Sequence, residues 1–572
     1  MRSNVKVSIL GPILALSLLP IHGWGDSAFY DEVYDSNGRV RPQYEEIMRV
    51  YSKLSDEDKD TFSSKSFRDF KGDNALDPFP RVLTQSEYDG LRRGVEQRGT
   101  ALRMFLQDYY GGGTGWKKVI PEDALHRIIS RAGESGFKGK LNPETISFPY
   151  GPDIVRTASG KWAVIEDNPG YIGGIGDLKI ARDSTMKNLP AYEKAVPMVH
   201  EPDEYYRAIV SRAKSRAVGQ GCVVMLMTPP YPDFEDARMA RIFGDLGVIP
   251  VTPTTGRGLV VKPDGVYLRI PSKTDAQPSF EKVGTILFNT EHKFVDSANP
   301  SVRQTLKIFE AQAIIEDESP SRTANLRNAM LPDAKTGQID QRKLRLALNE
   351  WETELPEMRK ESIRGLTRVI LEGKVATNYT PGVDFIGDKE FYTYVDDLVR
   401  HYLKEEPVVS NLSTRRMTKI AADGRSVINE ELLEELFKKN GYRDHVFKIV
   451  DGRGGDGVWI GPKMSEQNAL DVLARIRANP DSFIVQRYSH LSVIRPLPNE
   501  EGRIVDLRLI SEVGPKDMYV TRTPWGRGVP MGGNGKVNLS DRGREFMVAV
   551  VPDPPALCAR KALLNLLRNP LP

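Results

Sequence analysis

The stretch DIVRTASGKWAVIEDNPGYIGG, residues 153–174, decides how this chain folds and where its chemistry is expected. Two runs rich in Val, Ile and Trp flank Ser159-Gly160, a small-residue pair at which strands reverse, so the pattern predicts a β-hairpin. Folding at this turn brings the carboxylates of Asp153 and Glu166 close together. The hairpin is therefore the first place to look for a functional site.

Alternation along the second strand adds a third oxygen ligand. The side chains of Glu166 and Asn168 share one face of a strand, while Asp167 points to the other face. A hard cation such as Mg²⁺ prefers oxygen ligands of this kind and shares them with the phosphates of a nucleotide. Asp153, Glu166 and Asn168 thus form a candidate metal and nucleotide site, with a surface hairpin carrying scattered acids as the alternative.

Composition restricts the class of protein. A chain of 572 residues with 40% hydrophobic and 27% charged residues is typical of a folded protein of roughly three to four domain-sized units. The 80 basic and 77 acidic residues leave a net charge of +3 and no dense Lys/Arg tract, so no nucleic-acid partner is expected. Two distant cysteines exclude a disulfide framework and a metal knuckle.

The N-terminus has the pattern of a secretory signal peptide, predicted over residues 1–25. Arg2 and Lys6 precede an apolar run over 7–21, and small residues follow it. The run is short for a bilayer span and prolines interrupt it, so no stable membrane span is expected after cleavage. An uncleaved anchor and a mistaken start codon are the alternatives. The protein is predicted to be exported, periplasmic or secreted, if the signal functions, and cytoplasmic otherwise.

Periodicity divides the rest of the chain into four regions. Heptad-like apolar spacing predicts helices first, short apolar strands alternating with helices follow, a charged helical stretch comes next, and strands and helices then return. The predicted regions are a helical N-terminal region over 26–140, an α/β region with the hairpin over 141–300, a helical insertion over 301–375, and a last region over 376–572.

A second constellation lies in KIVDGRGGDGVWIG, residues 448–461. Lys448 ends a strand and a glycine-rich turn follows, so backbone N–H groups can approach a triphosphate while the lysine pairs with its oxygens. No GK[ST] opens a helix, so this is not a Walker A loop. A plain glycine-rich hairpin is the alternative. Downstream, FIVQRY (483–488) is a strand and link shaped to hold an adenine, or a piece of core.

Two further segments carry arginines that are candidate functional residues. In VDLR, Arg508 faces the same side as Asp506, where it either clamps a carboxylate or phosphoryl group or forms a salt bridge with Asp506. The segment YVTRTPWGRGVPMGGNGKVN, residues 519–538, carries Arg522 and Arg527 among glycines and is predicted to be a mobile loop.

Together these segments resemble the circularly permuted ATP-grasp proteins, which are related in architecture to eukaryotic glutathione synthetase and glutathionylspermidine synthetase. The likeness spans residues 29–540 and also includes GDKEFYTYVDDLVRHYLKEEPVVSNL, residues 387–412. In an unpermuted member the phosphate lysine precedes the metal Glu-x-Asn, whereas here Glu166 precedes Lys448. The resemblance implies an α/β (α+β) fold, a circularly permuted ATP-grasp with a helical N-terminal lead-in and a helical insertion, and assigns nucleotide binding to 376–572.

The resemblance also assigns roles. It implies ATP and Mg²⁺ as cofactors, and a covering loop and an adenine hinge for the nucleotide. The metal ligands would be Asp153, Glu166 and Asn168; the nucleotide would contact Lys448, Gly454, Gly455, Gly457, Gln486, Arg487 and Tyr488; and Arg508, with Arg156 or Arg522, would steady developing anionic charge. The turn after Asn168 and the stretch PMGGNGKVNLSDRG, residues 530–543, depart from the family pattern.

The implied activity is that of an ADP-forming carbon–nitrogen ligase. A small-molecule or peptide carboxylate would form an acylphosphate with ATP, and an amine would displace the phosphate to give an amide or peptide bond. One alternative is a kinase that uses the same nucleotide site. The other is a non-catalytic, degenerate binding protein, which export would favour because an exported protein meets little ATP.

Overall fold

The computed structural model describes residues 29–70, 75–227, 234–251, 258–270, 278–289, 321–331, 339–351, 363, 365–421, 426–452, 457–533, 535–539 and 543–555. The predicted signal peptide, Gly454 and Gly455 lie outside these ranges. Among the helices within them, none is both long and apolar enough to span a bilayer. Export of the chain stays a prediction.

The largest sheet contains strands from the first third and from the last third of the chain. Strands are numbered in chain order, and neighbours across this sheet are β11 (Ser410–Asn411), β4 (Trp162–Glu166), β3 (Asp153–Arg156), β19 (Arg503–Arg508), β22 (Trp525–Pro530) and β23 (Arg544–Phe546), with β18 (Val493–Ile494) on β19. All pairs are antiparallel except β11 with β4. Strand β3 of the hairpin therefore lies beside β19, with 355 positions between Asp153 and Arg508.

A six-stranded mixed sheet forms most of the predicted α/β region. Its order is β6 (Ile249–Val251), β5 (Cys222–Met227), β9 (Ser279–Asn289), β8 (Gly265–Ile270) and β7 (Leu259–Lys262), with β10 (Ala376–Thr377) on β9. Helix α8 (Phe234–Asp245) connects the parallel strands β5 and β6, which confirms the α/β alternation predicted there. Helix α7 (Asp203–Ser215) and α8 pack their apolar faces on this sheet.

A four-stranded antiparallel sheet carries Lys448. Its order is β12 (Thr414–Arg416), β17 (Phe483–Arg487), β15 (His445–Ile449) and β16 (Val458–Ile460). Helices α14 (Glu430–Phe437) and α15 (Glu466–Ala478) bury their leucine and isoleucine faces against one side of it. Asn429 caps α14, since its side chain accepts from the Leu432 N–H at 3.2 Å. The other side of the sheet carries Lys448, whose Nζ contacts the hairpin.

The N-terminal region is helical, as predicted, but a strand ties it to the end of the chain. Its helices are α1 (Glu45–Tyr51), α2 (Asp56–Asp69), α3 (Gln85–Tyr110) and α4 (Glu122–Arg131). Thr84 and Glu87 form a capping box at the start of α3. Before it, β1 (Arg81–Thr84) pairs in parallel with β24 (Val548–Val551). Helix α3 packs lengthwise on α13 (Val395–Leu403), so it lies inside the molecule.

The remaining elements are short. A three-stranded sheet contains β2 (Phe148–Tyr150), β20 (Ser511–Val513) and β21 (Met518–Val520), and β13 (Thr418–Ile420) pairs with β14 (Ser426–Ile428). The other α-helices are α5 (Asp177–Asn188), α6 (Tyr192–Ala195), α9 (Ala324–Ala329), α10 (Gln341–Asn349), α11 (Leu366–Leu371) and α12 (Lys389–Tyr392). Turns of 3₁₀ helix occupy Pro42–Tyr44, Gly115–Lys118, Ser135–Phe137, Pro143–Thr145, Val218–Gln220, Asp384–Gly387, Lys438–Asp444, Gly461–Lys463 and Pro480–Ser482. The four-region division of the sequence stays a prediction, and sheet pairings cross its boundaries.

Candidate functional site

The hairpin forms where the sequence predicts it. Gly160 has φ +79° and its N–H donates to the Thr157 carbonyl at 2.8 Å, so a residue without Cβ closes the turn. A register shift between Asp153 and Ile154 places Asp153 directly opposite Glu166. The two carboxylates predicted to meet are therefore cross-strand neighbours.

The row of side chains continues across the sheet from Asp153 to an arginine. Arg508 on β19 is the register partner of Asp153, and its Nε and Nη2 donate to Asp153 Oδ1 at 2.9 and 2.6 Å. Its Nη1 donates to the Gly173 carbonyl at 3.1 Å. Burial alone would raise the pKa of Asp153, but Arg508 and then Arg527 hold that pKa below its ordinary value. Asp153 is thus ionised and fixes the position of Arg508.

A second acid and arginine stand on the next row. Arg527 on β22 is opposite Asp506 in register, and its Nη2 donates to Asp506 Oδ2 at 2.5 Å and to Asp153 Oδ2 at 3.4 Å. Burial, with the charge of Asp153 nearby, raises the pKa of Asp506. The salt bridge considered between Arg508 and Asp506 is therefore not the one formed, because Asp506 pairs with Arg527. The predicted mobile loop over 519–538 was wrong at this point, since 525–530 is strand β22.

Asp167 points away from Glu166 and Asn168, as the alternation predicts. It lies in a buried network in which Arg98 Nε and Nη2 donate to its two oxygens at 3.2 and 2.6 Å and the Tyr150 hydroxyl donates to Oδ1. Arg98 also contacts Asp396 at 2.9 Å and Asn411 at 2.8 Å. This network anchors the end of β4 to helices α3 and α13.

Lys448 reaches the hairpin from the four-stranded sheet. Its Nζ donates to the carbonyl of Ile165 at 3.1 Å, directly before Glu166. Burial lowers the pKa of Lys448 to about 8, against the opposing attraction of Glu166 and with the repulsion of Lys389. The two constellations, 283 positions apart, are one cluster in the fold.

A second lysine, Lys389, pairs with Glu166 and had no role in the sequence analysis. Its Nζ lies 2.9 Å from Glu166 Oε1 and also donates to the Gly452 carbonyl. Helix α4 fixes its backbone from both sides, because Arg131 pairs with Asp388 at 2.9 Å and with Glu390 at 2.7 Å. The one available signal was its place in the segment 387–412, which carries part of the family resemblance.

Among the residues that the structure describes, the cluster has one more cation than it has carboxylates. Lys389, Lys448, Arg508 and Arg527 face Asp153, Glu166 and Asp506. A buried cluster with an excess of positive charge favours the binding of an anion. Its carboxylates favour the binding of a metal ion.

Residues 80–310 and 349–527 match the profile of the family described as circularly permuted ATP-grasp type 2.

The chain belongs to this family. The predicted family resemblance and the predicted fold class, a permuted ATP-grasp with mixed helices and sheet, are confirmed. Membership also accounts for the order of the site residues along the chain, in which the hairpin acids precede Lys448.

Relatives of this ATP-grasp chain are distant. An uncharacterized protein of Synechocystis sp. is 26% identical over 519 residues, covering 86% of this chain and 90% of that protein. A Frankia alni protein named "Putative glutamate--cysteine ligase 2-3" is 26% identical over 519 residues, covering 86% of this chain and 50% of that protein. A solved structure, a glutathione synthetase like-effector from Globodera pallida in apoform, aligns with a TM-score of 0.47 at 10% identity over 88% of this chain and 99% of its own.

The ATP-grasp family generally implies Mg²⁺, and the donor set here fits it. Asp153 and Glu166 supply carboxylate oxygens from adjacent strands, and the Asn168 Nδ2 donates to the Gly151 carbonyl at 3.1 Å, which leaves its Oδ1 as a ligand oxygen. In the described parts of the chain no three His, Cys, Asp or Glu side chains gather as a metal cluster, and the predicted set combines two carboxylates with one amide oxygen. The three positions therefore remain the predicted ligands.

The structure describes five of the seven predicted nucleotide contacts. Lys448 and Gln486 face the same side of the four-stranded sheet, and the Gln486 amide donates to Thr414 Oγ1 at 3.0 Å. Gly457 has φ +67°, and its carbonyl accepts from the Ile449 N–H at 2.8 Å. The backbone N–H groups of Arg487 and Tyr488 donate to the carbonyls of Ser413 and Asp444 at 2.7 and 2.8 Å. The adenine role of this link stays a prediction.

Two of the three predicted arginines lie away from the cluster. Arg156 is held between the rings of Trp162 and Tyr30 and pairs with Glu87 of α3. Arg522 is half-exposed and its guanidinium lies 3.3 Å from Glu204. Arg508 does lie in the cluster, where it contacts Asp153. Arg527, which the sequence pattern placed in a mobile loop, lies beside it and contacts Asp506.

Proposed function

We propose that this protein is an ATP-dependent, ADP-forming carboxylate–amine ligase. The observation that carries the proposal is the contact of Lys448 Nζ with the Ile165 carbonyl, because it unites a phosphate-type lysine with the hairpin acids in a chain of the ATP-grasp family. The ligase name of a Frankia relative supports the same reaction class. The pairing of Glu166 with Lys389, next to Lys448, disfavours a degenerate binding protein.

Each residue of the cluster has its own role in the proposed reaction. Lys448 and Lys389 bind phosphate oxygens of ATP, and Arg508, fixed by Asp153 and Gly173, binds the substrate carboxylate or the transferring phosphoryl group. A bound Mg²⁺, held by Asp153, Glu166 and Asn168, would neutralise charge on the phosphates. The carboxylate oxygen attacks the γ-phosphorus and ADP leaves. The amine nitrogen then bonds to the acyl carbon, phosphate leaves, and one proton is released.

An ADP-release assay with pairs of carboxylates and amines tests this function. The full chain is expected to release ADP only when Mg-ATP, a carboxylate and an amine are all present, with one amide formed per ADP. Release that needs no amine and gives a phosphorylated product would identify a kinase. If calorimetry detects no affinity for Mg-ATP in the full chain, the ligase proposal is wrong.

The lowered pKa of Lys448 gives the site a pH dependence. A phosphate favours the protonated amine, so Mg-ATP binding is expected to take up protons near pH 8 and to weaken as pH rises through about 8. The limiting slope is about tenfold in Kd per pH unit above that value. Calorimetry in buffers of different ionisation enthalpy measures the uptake. Lys448→Arg, whose charge does not titrate in this range, should remove it; equal uptake in both proteins would contradict the assignment.

A further inference from the structure

A pocket opens beside the turn that follows Asn168, one of the predicted metal ligands. The turn that follows Asn168 contributes Gly170 and Ile172 to its wall, and the remaining wall comes from α7, α8 and the carboxyl ends of β5 and β9. Ligands of α/β sheets characteristically bind at that end of the strands. Most of the lining is apolar, including Ile209, Met225 and Phe243. A molecule seated here would touch the same turn that carries Asn168.

Glu512 places a carboxylate in this apolar wall. It lies on β20 opposite Pro149, whose carbonyl accepts from the Gly170 N–H at 2.9 Å, so it stands next to the turn. The residue is 2% exposed. Its Oε1 accepts from Arg212 and Arg216, whereas its Oε2 is buried and, among the residues that the structure describes, receives no hydrogen bond.

An unpartnered buried carboxylate oxygen favours a ligand with N–H groups. Leaving such an oxygen without a donor costs free energy, and a charge-assisted N–H···O hydrogen bond removes that cost. Tyr205, on the same pocket wall, is 4% exposed. A substrate carboxylate is matched by Arg508, which Asp153 and the Gly173 carbonyl hold in the cluster.

We propose that this pocket binds the amine substrate, a compound with a small apolar body whose nitrogen donates to Glu512 Oε2. The inference rests on the proposed ligase function and names the class of its nucleophile. The apolar body packs against Ile209, Met225 and Phe243. Glu512 orients the amine and takes no part in the bond changes at the acyl carbon.

Methionine methyl groups report occupancy of the pocket. Met225 and Met239 line it, so the full chain labelled with ¹³C-methyl methionine is titrated with isobutylamine, and in parallel with isobutanol and isobutyrate, which share its carbon skeleton. Only isobutylamine is expected to shift both methyl resonances, with Met417 of the nucleotide sheet unchanged as an internal reference. Glu512→Gln is expected to weaken isobutylamine at least tenfold, since it removes a charge-assisted hydrogen bond.

Two further variants separate binding from folding. Glu32→Gln neutralises another buried glutamate paired with an arginine, at 2.7 Å from Arg81, and should leave isobutylamine binding intact. Ile209→Trp fills the pocket and should abolish binding without touching Glu512. Equal response to the amine and the alcohol, or an unchanged affinity in Glu512→Gln, overturns the proposal and leaves Glu512 as a partner of the two arginines only.

The same samples are titrated with Mg-ATP by calorimetry. If Mg-ATP binds and is turned over but isobutylamine leaves both methyl resonances unmoved, the amine site is wrong and the ligase function stands. If Mg-ATP does not bind, the ligase function is wrong and the amine site falls with it. Amine-specific shifts that need Glu512, in a protein that also binds Mg-ATP, support both.

Discussion

Replacing Glu166 by Gln is expected to lower kcat/KM for Mg-ATP by about 100-fold or more. The carboxylate is both a predicted metal ligand and the partner of Lys389 Nζ at 2.9 Å. An amide of the same shape removes the negative charge that attracts the cation and leaves Lys389 with the Gly452 carbonyl as its remaining partner. Steady-state ADP release at several Mg²⁺ concentrations measures the effect, and the half-saturating Mg²⁺ concentration should rise.

Glu431→Gln is the matched control for this change. Glu431 also pairs with a lysine, Lys419 at 3.1 Å, but it is 85% exposed and lies on α14 away from the cluster. Exposed pairs contribute little to stability, so this variant should keep activity within about twofold. If Glu166→Gln retains activity and the same Mg²⁺ dependence as the unmutated chain, the hairpin does not hold the metal.

The hairpin was predictable because all its determinants are local. Ser159-Gly160 marks the turn, and period-two alternation separates Glu166 from Asp167 without knowledge of the rest of the chain. Family likeness then supplied the long-range step, since Lys448 is recognisable from the glycine turn that follows it. The contact of Lys448 with Ile165 itself spans 283 positions, which no local pattern encodes.

The partners of the acids were not predictable in the same way. Arg508 was predicted either to clamp an anionic group or to pair with Asp506, which lies on the same side of its strand, but the carboxylate it contacts is its register partner Asp153. Arg527 was assigned to a mobile loop because glycines flank it, and glycines usually signal a loop. Here they permit close packing instead: a Cβ on Gly528 would lie 2.6 Å from the Phe546 ring and one on Gly526 2.8 Å from Val548.

Replacing Arg98 by Met is expected to destabilise the protein by about 3–5 kcal/mol. Both Arg98 and Asp167 have fully buried side chains, and Arg98 also contacts Asp396 and Asn411. Met matches the length of the arginine stem but leaves Asp167 as a buried charge with the Tyr150 hydroxyl as its side-chain donor. The midpoint of thermal or urea unfolding, followed by tyrosine and tryptophan fluorescence, measures the loss.

A double variant and an exposed control isolate the cause. Arg98→Met combined with Asp167→Asn removes both charges, so it should be more stable than the sum of the single changes predicts. Arg400→Met removes an arginine that contacts Asp397 at 2.8 Å and Glu406 at 3.0 Å on the surface, and should cost less than about 1 kcal/mol.

Arg98→Met is expected to alter the predicted metal site as well as stability, because Asp167 lies between two predicted metal ligands in the sequence. Arg98 fixes the end of β4 through Asp167, and loss of that anchor frees Glu166 and Asn168 from one defined geometry. At a temperature where Arg98→Met is still folded, we expect its half-saturating Mg²⁺ concentration to rise, whereas that of Arg400→Met stays unchanged. An Arg98→Met protein with the stability and Mg²⁺ dependence of the unmutated chain would show that the buried network positions nothing.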